Sequence, residues 1–261
     1  MTNTRIQNCP LCGKDRLRSL APCAGGPIEL CEACRLIFRN PPPDDEQLSR
    51  SYQKLYYPDD EGEVIYDATP KELLVQYADR LADRIGPFSK KRILDVGCGN
   101  GTFGALLTAR GARVYGVEFD DVARARITTF QAYKTVNAVP DGKFDLIALI
   151  EVVEHMRIPW EEMAQLRARL TPGGWSLVTT PSLDGLRAQL QGSRWDQAEN
   201  PTHLHLFSEE TLTAVLSRAG FRTIERLRLA YDYPGHGGMR RRLNRILTRL
   251  GLDGHLQMFA R

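Results

Sequence analysis

Residues 93–101 read Ile-Leu-Asp-Val-Gly-Cys-Gly-Asn-Gly, a short apolar run that passes directly into three glycines at alternate positions. Glycine tolerates backbone conformations closed to other residues. It also lets the next helix, or a ligand, approach the main chain. A strand ending this way must turn tightly into a helix, and the following residues supply one over 102–109, closed by Gly111. The alternation then continues. Strands are expected at 112–118, weakly at 133–139, and at 144–152, 173–181, 221–230 and 255–261. Helices are expected at 121–130, 159–170 and 207–220, the last with Ser208 as N-cap and Glu209 and Glu210 in its first turn. Strands alternating with helices predict an α/β fold, a mostly parallel sheet covered on both faces.

The segment before this alternation is different. Five of the six Cys fall within the first 34 residues, and Cys9-x-x-Cys12 is separated by eighteen residues from Cys31-x-x-Cys34. Each pair can present two thiolates from a tight knuckle, and two knuckles complete the tetrahedral four-sulfur set that Zn²⁺ takes in structural sites. Cys23 lies off the knuckles and is read as a spare thiol. Asn40-Pro41-Pro42-Pro43 ends this segment, because successive prolines continue neither a helix nor a central strand. Helices at 44–55 and 70–86 follow, with irregular chain between them. The expected organisation is a zinc ribbon over 1–42, a helical cover over 43–90 and the α/β unit over 91–261.

Glu118 ends the strand after the glycine loop, where an acid can bind ribose hydroxyls. Residues 92–180 resemble the core of class I S-adenosylmethionine (SAM)-dependent methyltransferases, whose first motif is hydrophobic-hydrophobic-Asp-x-Gly-x-Gly-x-Gly. Phe144-Asp145-Leu146-Ile147, the Glu151-Val152-Val153-Glu154-His155 segment and Leu170-Thr171-Pro172-Gly173-Gly174 resemble later motifs of the small-molecule branch. The knuckles with LIFRNPPPDDEQLSRSYQKLYY, and PTHLHLFSEETLTAVLSRAGF, resemble a group of these enzymes that carries a metal ribbon. The resemblance implies a Rossmann-like, doubly wound sheet of seven strands and methyl transfer from SAM to a small-molecule acceptor. It places Asp95, Gly97, Gly99 and Gly101 against the methionine part of SAM, Glu118 on the ribose and Phe119 against the adenine. Of Glu151 and Glu154, one borders the methyl site and the other fixes a loop; Glu151 is grouped with the cofactor-binding residues. The family's acid after the third strand is missing from Val136-Asn137-Ala138-Val139, which leaves Asn137 or a backbone carbonyl for the adenine amino group.

A sulfonium methyl group is already activated, so the protein's main task is to hold nucleophile, carbon and sulfur in line. An oxygen or nitrogen acceptor also calls for a general base, and the candidates are His155, His203 and His205. His203 and His205 would share one face of an extended segment. His236 and His255 are read without a role. Tyr56, Tyr57 and Trp195 are candidate walls of the acceptor site.

A net charge of +3 is too small for a general nucleic-acid footprint. Residues 221–261 are the exception, with nine Arg against three acids. They suggest a solvated helix face, or contact with an anionic substrate, a nucleic acid or a membrane surface. No apolar run is long enough to span a bilayer, and the first residues lack an apolar signal core, so a cytoplasmic location is expected. Two other functions stay open: an RNA or protein methyltransferase docking through the ribbon and tail, and a SAM-binding enzyme that cleaves or cyclises SAM.

Overall fold

The computed structural model describes residues 4–56, 69–230 and 237–261. The first strands are β1 (Leu17–Ser19), β2 (Ile28–Cys31) and β3 (Ile37–Arg39), followed by helices α1 (Asp45–Tyr56) and α2 (Lys71–Ile85). The alternating part runs β4 (Arg92–Val96), α3 (Thr102–Ala109), β5 (Arg113–Val117), α4 (Asp121–Ala125), β6 (Gln131–Tyr133), β7 (Phe144–Ile150), α5 (Pro159–Arg167) and β8 (Leu170–Pro181). It closes with α6 (Leu186–Gln191), α7 (Asp196–Glu199), β9 (His205–Leu206), α8 (Glu209–Arg218), β10 (Ile224–Arg226), α9 (Gly238–Leu250) and β11 (His255–Ala260).

Seven strands form one sheet in the order β10-β11-β8-β7-β4-β5-β6. β6, β5, β4, β7 and β8 pair in parallel, whereas β11 is antiparallel to both of its neighbours. Chain order runs outward from β4 in both directions, so the crevice beside its carboxyl end is the place where such sheets bind ligands. This is the Rossmann-like, doubly wound sheet that the alternation and the resemblance predicted.

The core divides by strand periodicity. Ile93, Val114, Leu146, Leu177 and Phe259 point to the face covered by α2 and α3, where Leu73, Leu81, Phe103 and Leu107 are buried. Their neighbours Leu94, Tyr115, Ile147, Val178 and Met258 point the other way, onto Trp160, Met163, Leu212 and Leu216 of α5 and α8. Buried on both faces, these strands lack polar alternation and read as continuous apolar runs. Ser208 caps α8 as expected, accepting from the Thr211 N–H, and the Ser208 N–H donates in return to the Thr211 hydroxyl.

Cys9, Leu11, Cys31, Leu36 and Phe38 join the core cluster on the α5/α8 face, which seats the cysteine-rich segment there. Its sheet is antiparallel, β1-β2-β3-β9, and takes its fourth strand from residues far along the chain. Each cysteine knuckle closes with the same bond: the Gly13 N–H donates to the Cys9 carbonyl and that of Arg35 to the Cys31 carbonyl, both at 2.8 Å. Gly13 and Arg35 accordingly have φ of 73° and 65°.

Four local expectations differ from the structure. The helix expected over 121–130 stops at Ala125, and the strand expected over 133–139 is instead β6 at 131–133 followed by a 3₁₀ turn at Val136–Ala138. β6 is a short edge strand, whose pairing with β5 decides its limits more than its own pattern does. The strand expected at 221–230 is regular only over β10. The Pro-Gly-Gly turn lies inside β8, where pairing jumps from Phe144–Leu170 to Leu146–Trp175. Among the described residues, no helix is long and apolar enough to cross a membrane.

Candidate active site

At the carboxyl ends of β4, β5 and β7 the sheet opens into a cavity of about 790 Å³. Gly97 and Gly99 line its floor, with φ of 66° and 54°, and a Cβ on Gly97 would lie 2.5 Å from Val152. Gly101 does not line the cavity. It caps α3 with φ 88°, and a Cβ there would press on Ile127 and Phe130 at 3.0–3.1 Å, so its role is helix packing. Asp95 is buried and lines the cavity.

Glu118, just past β5, ties the loop together. Its carboxylate accepts the Gly99 N–H and the Asp120 N–H, each at 2.9 Å. Burial lifts its carboxyl above the ordinary range against the pull of those donors. Each oxygen keeps a second lone pair for a ligand hydroxyl. Phe119 is half exposed at the cavity edge, its ring meeting Tyr52 of α1 edge-on at 5.1 Å. A cavity of about 350 Å³ adjoins, sharing Val152 and His155 and lined also by Asn137.

The end of β7 carries the strained residue. Glu151 has φ 56°, a conformation that costs a non-glycine residue about 1–3 kcal/mol. It is held by β8: the Glu151 N–H donates to the Thr179 carbonyl at 3.1 Å, and the Thr179 hydroxyl donates to Glu151 Oε1 at 2.9 Å. Glu151 Oε1 lies 3.9 Å from His255 Nδ1 at the start of β11. Burial alone would lower the His255 pKa, but the Glu151 carboxylate raises it above the ordinary value. Sequence reasoning gave His255 no role, because only the antiparallel return of β11 brings it here.

Glu154 and His155 form a 3₁₀ turn with Val153. Both Glu154 carboxyl oxygens are buried with no hydrogen-bond partner among the described residues, and burial, then the nearby Glu151, drives its pKa far upward. His155 Nδ1–H donates to the Thr202 carbonyl at 2.9 Å, leaving the Nε2 lone pair beside Glu154 Oε1 at 4.0 Å. Burial pushes the His155 pKa down to about 4. Its ring meets His203 at 4.8 Å. Glu154, His155 and His203 bring possible metal-ligand atoms within 4.8 Å of one another. Both nitrogens of His203 are engaged, however: Nδ1–H donates to the Gln197 carbonyl and Nε2 accepts from the Asn200 amide, each at 3.1 Å. The set is therefore a close-packed cluster whose histidines are tied to the 197–202 loop, with one open imidazole nitrogen, that of His155.

His205, expected beside His203, does not line the cavity. The strand begins only at His205, so period-two alternation does not extend back to His203. His205 is buried, stacked on Phe207 at 5.9 Å and edge-on to Trp160 at 6.4 Å. Trp195 is a buried wall of the cavity, as expected of it. Tyr56 closes α1, while Tyr57 and His236 lie outside the described residues.

Arg39 was not foreseen. This buried side chain of β3 donates from Nε to the His203 carbonyl (3.0 Å), from Nη2 to the carbonyls of Ala198 and Asn200 (2.7 Å each), and from Nη1 to that of Gly26 (2.9 Å). It carries the loop holding Asn200 and His203. The only local signal is Gly25, where a Cβ would lie 2.3 Å from Arg39 Nη2.

In the cysteine cluster, Cys9 and Cys34 Sγ are 3.5 Å apart, Cys12 and Cys31 Sγ 3.6 Å, and all four lie within 4.8 Å of one another. A tetrahedral ion with metal–sulfur bonds of about 2.3 Å would need sulfurs roughly 3.8 Å apart. The four thiols fit.

A glycine loop at the switch point and an acid closing the next strand, on a sheet ordered β10-β11-β8-β7-β4-β5-β6, define a class I SAM-dependent methyltransferase. The sequence profile described as "Methyltransferase domain" matches residues 66–226, and the chain belongs to that family. A ubiquinone biosynthesis O-methyltransferase from Thiobacillus denitrificans is 27% identical over 146 residues, covering 51% of this chain and 60% of that protein. A tRNA U34 carboxymethyltransferase from Colwellia psychrerythraea is 32% identical over 162 residues, covering 56% of this chain and 49% of that one. The chain thus spans about half to three-fifths of the length of these curated relatives. A crystal structure of a SAM-dependent methyltransferase from Archaeoglobus fulgidus superposes with a TM-score of 0.55 at 18% identity, covering 83% of this chain and 99% of that one, and supports the fold.

Replacing Arg39 removes the donor to the buried carbonyls of Ala198 and His203 and cuts the tie to Gly26. Arg39→Met should lower the unfolding free energy by about 3 kcal/mol in urea titration. Wild-type stability in that variant would mean that the guanidinium bonds are replaceable.

Proposed function

We propose that the chain transfers the SAM methyl group to an oxygen or nitrogen of a small-molecule acceptor, with His155 as general base and a structural Zn²⁺ on Cys9, Cys12, Cys31 and Cys34. The observation that carries this is the cavity itself. Besides Glu154, whose pKa burial raises, five carboxyls line it, those of Asp95, Glu118, Glu151, Asp196 and Asp253, against the single guanidinium, among the described residues, of Arg187. A negative, half-enclosed site favours a sulfonium cation and disfavours a polyanion such as RNA. SAM would lie with its methionine over Gly97 and Gly99 beside Asp95, its ribose hydroxyls on Glu118 and its adenine against Phe119, near Asn137. Glu151 borders the methyl site. SAM supplies the activated methyl group. The protein's residues orient it and receive the acceptor's proton.

When bound, SAM would supply the methyl carbon to the acceptor oxygen, and the electrons of the broken carbon–sulfur bond would stay on sulfur as a thioether. The acceptor proton passes to His155 Nε2, whose tautomer is set by the bond from Nδ1–H to Thr202. The positive charge moves from sulfur to imidazole, so the site's total charge is unchanged. A weakly basic imidazole is adequate because the attacking hydroxyl becomes strongly acidic as the new bond forms. His203 orients the loop beside it, and His205, packed in the core, does not take part.

Three outcomes test this reading. The purified protein should contain about one Zn²⁺ per chain, and Cys9→Ser or Cys34→Ser should lose it together with folding yield. Zinc-free protein of full stability would remove the metal from the proposal. SAM or S-adenosylhomocysteine should raise thermal stability. Calorimetry should show Gly99→Val abolishing binding and Glu118→Ala weakening it by roughly 1–3 kcal/mol; unchanged binding in both variants would place the cofactor elsewhere. His155→Gln should lower kcat by about a hundredfold or more while SAM affinity stays within a few-fold. Because its folded pKa is depressed to about 4, the base is already neutral well below pH 6.5. kcat/KM should stay flat on acidification from neutral pH and fall only near pH 4. An acid limb centred at 6.5, or near-normal kcat in the variant, would exclude His155 as the base.

A further inference from the structure

Helix α9 is amphipathic, but it is turned the wrong way for a core helix. Met239, Leu243, Ile246 and Leu250, spaced four, three and four residues apart, fall on one face and are exposed by 86, 54, 52 and 64%. The residue buried in this helix is instead polar: Thr248, whose hydroxyl donates to the Asn244 carbonyl one turn earlier. Asn244 faces inward too, lining a small cavity. Arg240, Arg241, Arg242, Arg245 and Arg249 are exposed around the apolar stripe, and the helix contains no acid. A monomeric soluble surface seldom presents so continuous an apolar row, and a contiguous exposed patch marks an interaction site.

The surroundings of α9 link it to the active site. The small cavity lined by Asn244 shares Thr69, Glu151, Asp253 and His255 with the large one. The turn after α9 packs on the start of α6 so tightly that a Cβ on Gly185 would lie 2.5 Å from the Gly254 Cα. The Leu186 N–H donates to the Leu252 carbonyl at 3.0 Å. α6 in turn exposes Leu186 by 39% and Leu190 by 76%, and it places Arg187 in the cavity wall. Exposed apolar side chains therefore stand on both elements that border this side of the cavity.

We infer that α9 docks the protein on an anionic lipid bilayer, its apolar stripe entering the headgroup–acyl boundary and its arginines meeting lipid phosphates. A bilayer answers both halves of the helix at once, with hydrocarbon for Met239, Leu243, Ile246 and Leu250 and negative charge for the arginines. Nucleic acid would satisfy the arginines but leave the stripe in water. Because the turn after α9 packs on the start of α6, the cavity wall that carries Arg187 stands next to the docked helix. An acceptor bearing a long apolar tail could then enter without leaving the bilayer, a corollary that rests on the methyl-transfer reading above. The docking itself does not rest on it.

The test therefore uses binding alone. The full chain is sedimented with vesicles of phosphatidylcholine containing phosphatidylglycerol, and with vesicles of phosphatidylcholine only. Wild-type protein should pellet with the anionic vesicles and stay mostly in the supernatant with the neutral ones. The double variant Leu243→Glu, Ile246→Glu and the triple variant Arg240→Ala, Arg241→Ala, Arg242→Ala should each lower the partition coefficient by about tenfold or more. All these positions are exposed, so thermal unfolding and S-adenosylhomocysteine binding should match wild type and show that the variants are folded. If SAM binding failed in the wild type while vesicles were still bound, the methyl-transfer reading would fall and docking would stand. Wild-type protein left in the supernatant with anionic vesicles, or a folded double variant that pellets as wild type does, overturns the proposal. Retention on total tRNA without vesicle partition overturns it as well, and assigns the surface to nucleic acid.

Discussion

A guanidinium taken out of water must find acceptors for its N–H groups, and Arg39 finds carbonyls on two segments far apart in sequence. Gly26 belongs to the cysteine-rich segment; Ala198, Asn200 and His203 belong to the loop that walls the cavity. The planar fork of arginine can meet carbonyls on several sides at once, which the single ammonium of lysine cannot. Burial lowers the Arg39 pKa, a measure of how completely water is replaced by these dipoles. Because β3 carries Arg39 and pairs with β9, the cysteine cluster and the cavity wall form one piece. The cysteine-rich segment is thus part of the scaffold of the site as well as an appendage to it. Its knuckles hold β2 and β3, β3 holds the 198–203 loop, and that loop accepts the Nδ1–H of His155 at Thr202.

A second constraint acts from the opposite side of the cavity. Glu151 is held at positive φ by its hydrogen bonds to the Thr179 carbonyl and hydroxyl, and the carboxylate so presented sits beside His255. Both carboxyl oxygens of Glu154, three residues on, are buried without a hydrogen-bond partner among the described residues, and burial, then the repulsion of Glu151, raises its pKa. Two carboxyls close in sequence are thereby given different characters by their surroundings. One stands next to a histidine, the other is buried beside the open nitrogen of His155.

Charge is also divided between inside and outside. Six carboxyls line the cavity against one guanidinium among the described residues, whereas the charged side chains of α9 are all arginines. The net charge of the chain, near zero by comparison, conceals both. A reading from composition alone sees neither the negative pocket nor the positive helix, because each depends on where the backbone sends its side chains.

What the sequence alone determined was local. Strands buried on both faces must be continuous apolar runs, and β4, β5, β7 and β8 are visible for that reason. The glycine loop is visible because only glycine takes those φ values without strain. Paired Cys-x-x-Cys knuckles are visible because two thiolates on one ion need that short spacing. Short elements such as α4, β6 and β9 were misplaced or missed, since their limits come from pairing with neighbours and not from their own pattern. Only the tertiary structure could bring His255 to Glu151, set His205 apart from His203, or direct Arg39 at a loop 160 residues away. It also decided that α9 turns Asn244 and Thr248 inward and its apolar stripe to solvent. Periodicity can show that a helix has two faces; which one the core takes depends on what packs against it.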